Sequence, residues 1–235
     1  MKILVVEDEK LLAQSLKALL EAKGFQVETV YDGESGAEYA ELGVYDLLIL
    51  DVMMPGLDGY QVARQMRGLV ENLLELARAD TSAPEQQAPL DLSSLVSGAA
   101  LPFEALFFER GLTLIEDVEE GITIKGNPAQ LRQLVEIFLD NAQKYSDPGQ
   151  AALRLRRKGR AHCLLSLSNP GAPIPQEELK NIFKRFYRLD KARSRDGSCG
   201  LGLSIAQSIA NAHQGKIWAE SGGGRNTFFV ELPVL

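Results

Sequence analysis

The feature that most constrains this chain is a repeat at its amino end, in which short apolar runs alternate with helix-length segments. ILVV, Ile3 to Val6, reads as a buried strand and is followed at once by Glu7, Asp8 and Glu9. A helix is expected from about Lys10 to Lys23, with Leu11, Leu12, Leu16, Leu19 and Leu20 on its inner face and Gly24 as a stop. FQVETV makes a second strand, ESGAEYAEL a second helix and DLLIL a third strand, whose unbroken apolar character implies burial on both faces. A βαβαβ order predicts a parallel sheet, and such sheets form sites at the carboxyl ends of their strands. Glu7, Asp8 and Asp51 fall there.

Three carboxylates converging from adjacent strand ends repel one another unless a divalent cation sits among them, and hard oxygen ligands suit Mg²⁺. The same arrangement leaves one carboxylate able to attack a phosphoryl group. A single acid after a strand serves equally as a helix cap, a role open to Asp8 or Glu9 at the start of the first helix. These residues resemble the receiver domain of bacterial response regulators, through VVEDE and LILDVMMPGLDGYQVARQMR. The resemblance implies that Asp51 accepts phosphate, that Asp8, Asp51 and the Met53 backbone carbonyl ligate Mg²⁺, and that Glu7 completes the acidic pocket. Pro55 and Gly59 would shape the loop. The resemblance stops near Arg67, so residues 1–67 amount to the first half of a flavodoxin-like, parallel-sheet receiver. Its last two βα units, with a Ser or Thr and a Lys of the family's site, are missing. Without that cation a transferring phosphoryl group loses a preorganised stabiliser. One sheet edge is also left to be paired, covered or exposed.

From Gly59 to Asp80 the sequence GYQVARQMRGLVENLLELARAD has the spacing of one amphipathic helix, with Met66, Leu69, Leu73 and Leu76 along its stripe and Gly68 at the seam. Its part from 68 to 80 resembles the end of the second helix in a kinase dimerisation hairpin, and the Met66–Leu76 stripe is a candidate homodimer surface. Residues 81–89, TSAPEQQAP, read as a linker.

The remainder, 90–235, alternates helical and strand patterns. A helix is expected from about Leu92 to Arg110, then strands LTLIED and GITIKG, and a helix capped by Asn127 and running to about Tyr145. ALRLRRK and HCLLSLSN form a hairpin, a helix covers about Gln176 to Phe186, another Leu201 to Ala212, and GKIWAES and NTFFVELP are the last strands. Asn141 and Lys144 share a helical face, where an amide oxygen can ligate Mg²⁺ and an ammonium can reach phosphate. Taken alone they read as surface residues. Gly171, after Asn169, permits close approach of a planar ligand. Gly197, Gly200 and Gly202 enter a helix whose first N–H groups suit an anion.

In their order, NAQKYS, IFKRFYR, GLGLSIA and NTFFVELP resemble the ATP-binding domain of sensor histidine kinases, an α/β sandwich shared with gyrase, Hsp90 and MutL. The resemblance implies ATP and Mg²⁺ as ligands. Asn141 would hold the metal, Lys144 and Tyr145 would lie near the nucleotide, and Asn169 and Gly171 would read adenine. Gly200, Leu201 and Gly202 would flank the phosphates, Thr227 belongs to the closing motif, and Leu189 to Cys199 would be the lid. The family's adenine-reading Asp is Asn169 here, its amide oxygen still an acceptor. The first Asn of the usual metal-side motif is Ile137, and Pro173 replaces a common Gly.

The expected function is two-component phosphorelay, in which a histidine-kinase-like phosphotransferase acts on a histidine supplied in trans by a kinase hairpin or works with a response regulator. The two histidines, His162 and His213, read as structural. A nucleotide-gated scaffold, or a fusion product without a joint role, stands as the alternative. The net charge of −7, with twelve acidic and six basic residues in 1–67, argues against broad nucleic-acid or anionic-membrane binding. Arg154, Arg156, Arg157, Lys158 and Arg160 read as a solvated turn rather than a docking patch. No apolar run approaches the roughly 20 residues of a span, and MKILVVEDE lacks the pattern of a leader, so a cytoplasmic location is expected. Cys163 and Cys199 read as reduced thiols.

Overall fold

The structure is a computed structural model that describes residues 1–63, 87–185, 187, 189 and 200–235. The Met66–Leu76 stripe, Gly197 and the lid beyond Leu189 lie outside the described residues. The chain divides into two compact units.

The first unit holds β1 (Lys2–Val6), α1 (Lys10–Glu21), β2 (Gln26–Val30), α2 (Gly33–Glu41) and β3 (Leu47–Leu50), with strands in the parallel order β2-β1-β3. Alternation along β1 splits its core in two. Leu4 and Val6 pack with Val30, Ala37, Met54 and Val62 on the α2 side, while Ile3 and Val5 pack with Val27, Leu16 and Leu20 on the α1 side. Asp32 caps α2 by accepting from the Ser35 N–H at 2.7 Å. Two sequence expectations need correction. β3 is an edge strand among the described residues, and it is half-buried rather than covered on both faces, with Leu47 43% exposed. Of the five leucines expected on the inner face of α1 only Leu16 and Leu20 pack on the core, alongside the buried Ala13; Leu11, Leu12 and Leu19 are exposed, because the three strands among the described residues are too narrow to cover the whole apolar face of the helix.

The second unit is a mixed sheet in the order β5-β7-β8-β10-β9, with helices against it. Its elements are β4 (Ala88–Asp91), α3 (Leu92–Ala100), α4 (Phe103–Glu109), β5 (Leu112–Val118), β6 (Thr123–Gly126), α5 (Pro128–Tyr145), β7 (Gly149–Lys158), β8 (His162–Pro170), α6 (Gly202–Ala212), β9 (Lys216–Gly222) and β10 (Arg225–Pro233). β5 and β7 are parallel, and the other sheet neighbours are antiparallel. β4 pairs with β6, so Ala88 and Pro89 belong to a strand rather than a linker. The single helix expected over 92–110 is two helices. Pro102 lacks the N–H that a continuous helix would use, and α4 starts after it. Leu92–Glu109 is 18 residues with the hydropathy of a candidate span, yet its break at Pro102 separates two helices, and α3 buries Leu92, Val96, Ala99 and Ala100 in the unit's core. The helix expected over 176–186 reduces to a 3₁₀ turn at Asn181–Phe183, since the Asn181 side chain bonds the Glu177 carbonyl and the Glu178 carboxylate and competes with helical bonding.

α5 organises the unit. Asn127 caps it, accepting from the N–H groups of Ala129 and Gln130, and Leu131, Leu134, Val135, Phe138, Leu139 and Ala142 are buried. The Asn127 N–H donates to His213 Nε2 at 3.0 Å, while His213 Nδ1 lies 2.8 Å from the Ile209 carbonyl, the pairing of a neutral imidazole. Burial holds the His213 pKa below its ordinary 6.5. Protonation would destroy the bond to Asn127. The Arg and Lys of β7 are matched by acids: Arg154 and Arg156 pair with Asp117, Arg157 with Glu119, and Lys158 with Glu231. Cys163 is a free, buried thiol pushed up to about 11 by burial.

Because the folded His213 resists a proton that the unfolded chain accepts, its contribution to stability is constant above pH 6.5 and declines as the pH falls below that value. Urea unfolding should therefore show a lower midpoint at about pH 5.5 than at about pH 7.5, and His213→Gln should shrink the difference. An unchanged difference in the variant would assign the pH dependence elsewhere.

Candidate functional site

The structure forms two separate sites, each described within its own unit. In the first, the parallel sheet places the ends of β1 and β3 side by side, and the Asp51 N–H donates to the Val6 carbonyl at 2.8 Å. Glu7, Asp8 and Asp51 then come together with ligand oxygens all within 4.8 Å of one another. Glu7 is buried, Asp51 half-buried and Asp8 exposed. The Glu9 N–H lies 3.3 Å from Glu7 Oε1, and Glu9, the N-cap of α1, makes no side-chain capping bond. Glu9 therefore does not fill the capping role that the sequence left open to Asp8 or Glu9. Three hard oxygen donors this close suit a small divalent cation. The Met53 side chain is 84% exposed.

Gly59 seals the loop behind Asp51. A Cβ there would lie 2.0 Å from the Asp51 carbonyl oxygen, so only glycine permits the approach. Asp58 and Gln61 brace the turn reciprocally, the Gln61 N–H donating to Asp58 Oδ1 at 2.7 Å and the Asp58 N–H to Gln61 Oε1 at 2.9 Å.

In the second unit the candidate residues lie along one face of α5. Ile137 packs toward Gly202, where an added Cβ would be 3.4 Å from Ile137 Cγ2. One turn on is Asn141, half-buried, and next comes Lys144, whose Nζ pairs with Asp140 Oδ2 at 2.6 Å. Tyr145 follows, its ring exposed and its carbonyl 3.1 Å from the position of a Cβ on Gly171. α5 therefore joins the Gly202 end of the site to the Gly171 end.

The Gly171 end is built from two buried carboxamides. Asn169 on β8 and Asn226 on β10 are register partners, and both lie on the inward face of the sheet. Asn226 Oδ1 accepts from Ser221 Oγ at 2.6 Å and its Nδ2 donates to the Ala172 carbonyl at 3.0 Å. Asn169 Nδ2 donates to the Pro170 carbonyl at 3.2 Å, but Asn169 Oδ1 is buried with no partner. A buried acceptor without a donor is costly, and the deficit is met when a ligand supplies an N–H. At the opposite end Gly200 adopts φ 65°, and α6 begins at Gly202 with no side-chain cap, so its first N–H groups are left for an anion.

Thr227 is not gathered with these residues. It faces the other side of the sheet, and its hydroxyl donates to Ser168 Oγ at 3.0 Å. The inward neighbour Asn226 takes the place beside Asn169, and the sequence reading passed over it. The signal was present: Asn226 shares the parity of Phe228, Val230 and Leu232, and a polar residue at an inward strand position calls for a partner.

Gly59→Ala should lower the stability of the first unit by about 1–3 kcal/mol in denaturant unfolding, since the Asp51 carbonyl must move to admit a methyl group. Wild-type stability in that variant would contradict the close approach.

The family model of the response regulator receiver domain matches residues 3–74, and that of the histidine kinase-, DNA gyrase B- and HSP90-like ATPase matches residues 126–235. Sensor protein DltS of Streptococcus agalactiae serotype V is 33% identical over 172 residues, covering 73% of this chain and 44% of DltS. Sensor histidine kinase CusS of Escherichia coli O157:H7 is 36% identical over 173 residues, covering 72% and 35%. The chain spans less than half the length of these relatives. Full-length ShkA, solved in complex with AMPPNP, shares the fold with a TM-score of 0.64 at 23% identity, over 74% of this chain and 37% of ShkA.

Proposed function

We propose that this chain, which joins a response regulator receiver segment to a histidine-kinase-type ATPase domain, binds Mg·ATP in its second unit and passes phosphate to a histidine on another protein. Both parts belong to two-component signalling, and the relatives are a sensor protein and a sensor histidine kinase. The observation that carries the nucleotide reading is Asn169 Oδ1, a buried acceptor in want of a donor, which the exocyclic amine of adenine supplies. At Gly171 an added Cβ would crowd the Tyr145 carbonyl at 3.1 Å and Asn226 Nδ2 at 3.3 Å, so a glycine suits this position.

Asn141 offers its amide oxygen to Mg²⁺, and Lys144, whose charge Asp140 now neutralises, can turn to the phosphates. Gly200, Leu201 and Gly202 bring the uncapped start of α6 to the same anion. Bound Mg·ATP supplies the transferable γ-phosphoryl group. Ile137 replaces a polar group on the metal side, so Asn141 carries more of the metal binding. The acceptor is sought in trans because neither histidine suits the part. His213 is buried with both ring nitrogens engaged, and His162 sits on β8 beside Glu231. In the first unit Asp51 is the proposed phosphoacceptor, with Glu7, Asp8 and the Met53 carbonyl around the cation.

The same two histidines favour a second reading, a nucleotide-gated scaffold that binds ATP and transfers nothing. γ-Labelled ATP with Mg²⁺ and a separate histidine-bearing hairpin domain separates the two. The transfer reading expects base-stable, acid-labile label on the hairpin, and a drop of about tenfold or more in nucleotide affinity on Asn141→Ala. ATP bound at saturation with no label on any hairpin would overturn transfer and leave the scaffold.

A further inference from the structure

Independently of the nucleotide site, we infer that β3 of the first unit pairs with β3 of a second copy of this chain, antiparallel and about a two-fold axis through Leu48. Among the described residues β1 fills one side of β3 and no strand lies on the other. The register sets Ile3 beside Leu47 and Val5 beside Ile49, and the Asp51 N–H donates to the Val6 carbonyl, so the odd-numbered residues of β3 turn their backbone groups toward β1. The N–H and C=O groups of Leu48 and Leu50 therefore point to the open edge, a row that another strand matches and a helix does not. From Leu47 to Leu50 this edge has no charged residue and no proline to keep a partner away. Leu47 is exposed, as are Val44 and Val52 on either side of the strand. The opposite edge of the same sheet is polar: β2 presents Gln26, Glu28 and Thr29, and Glu28 is held by Lys2 at 2.9 Å and by the Tyr45 hydroxyl.

The strand is its own complement. A two-fold axis through Leu48 sets this residue opposite Leu48 of the second copy, where the two exchange both backbone bonds, and sets Leu47 opposite Ile49 of the second copy in the closer, non-hydrogen-bonded pairing. Leu47 and Ile49 share the α1 face of the sheet, so the exposed Leu47 side chain gains an apolar neighbour. Charge fixes the direction. Asp46 and Asp51 bracket the strand, and parallel pairing in register would set each acid beside its own copy and bring two Glu7–Asp8–Asp51 clusters together. Antiparallel pairing instead sets Asp46 opposite Leu50 and holds the two Asp51 residues about 20 Å apart along the strands.

Two strands of four residues make a small contact beside the roughly 1,200 Å² of a stable interface. The association is therefore weak and dependent on concentration, and its two-fold symmetry closes it at a dimer.

Sedimentation velocity of the full chain from about 5 to about 500 μM tests this. The expected result is a monomer at the lower end and a dimer at the upper, with a dissociation constant of about 100 μM that Leu47→Lys, a change the exposed position admits in the single chain, raises about tenfold or more. The register is read from chains in which Cys163 and Cys199 are replaced by Ala and which carry Leu47→Cys or Ile49→Cys. On oxidation the mixture of the two is expected to form a disulfide-linked dimer faster than either variant alone. A chain that stays monomeric throughout would overturn the pairing. A dimer that Leu47→Lys leaves intact would overturn it as well, and its loss on Leu73→Glu would assign it to the Met66–Leu76 stripe outside the described residues. Linking of either cysteine variant with itself in preference to the mixture would overturn the register about Leu48.

Discussion

The second unit depends on the packing of α5 against its sheet. Phe138 and Phe228 meet with ring centroids 5.8 Å apart, and the helix buries Leu131, Leu134, Val135, Leu139 and Ala142 along the same stripe. This seam sets the rotation of α5, and the rotation sets which residues line the opposite flank: Ile137 toward Gly202, then Asn141, then Tyr145 toward Gly171. The start of the helix is fixed just as firmly. Asn127 caps it and donates its own N–H to His213 at the end of α6, so α5 and α6 are joined by one buried imidazole. The site is a consequence of apolar packing, with polar groups admitted only where backbone or a ligand can satisfy them.

The first unit obeys the same physics with less material. Ile3 to Val6 of its β1 strand are completely buried, and their alternation serves both faces of the sheet. The three acids at the strand ends have ligand oxygens within 4.8 Å of one another. The surroundings are incomplete among the described residues: β3 has one neighbour, and Leu11, Leu12 and Leu19 on α1 remain in solvent. Geometry for holding a cation is present there, while the apolar cover that would stabilise it is thin.

Most strands and α5 were legible because their signals are local. Alternation wrote β7, β8 and β10 into the sequence, and Asn127 before Pro128 marked the start of α5. What escaped depends on neighbours distant in sequence. The burial of β3 is set by the number of strands beside it, which the LLIL pattern does not encode. Glu178 accepts from both Tyr187 and Asn181, and that side-chain network overrides the helical spacing near 181. The break at Pro102 was readable from chemistry alone. Motif order singles out Asn169, Gly171 and Asn141 as candidates, but it does not record which face a strand residue takes. Parity along β10 does, and it places Asn226 rather than Thr227 beside Asn169.

A buried, unpartnered amide oxygen at the end of β8 is proposed to mark a nucleotide site assembled by α5. Hydrogen exchange of the full chain with and without saturating Mg·ADP addresses it most directly, because the Gly171 and Asp147 amides donate to Gly224 and Pro170 at the rim of that site. Slower exchange is expected at these two amides and along the last turn of α5 when the nucleotide is present. Exchange at all of them that is unaltered by saturating Mg·ADP would contradict it.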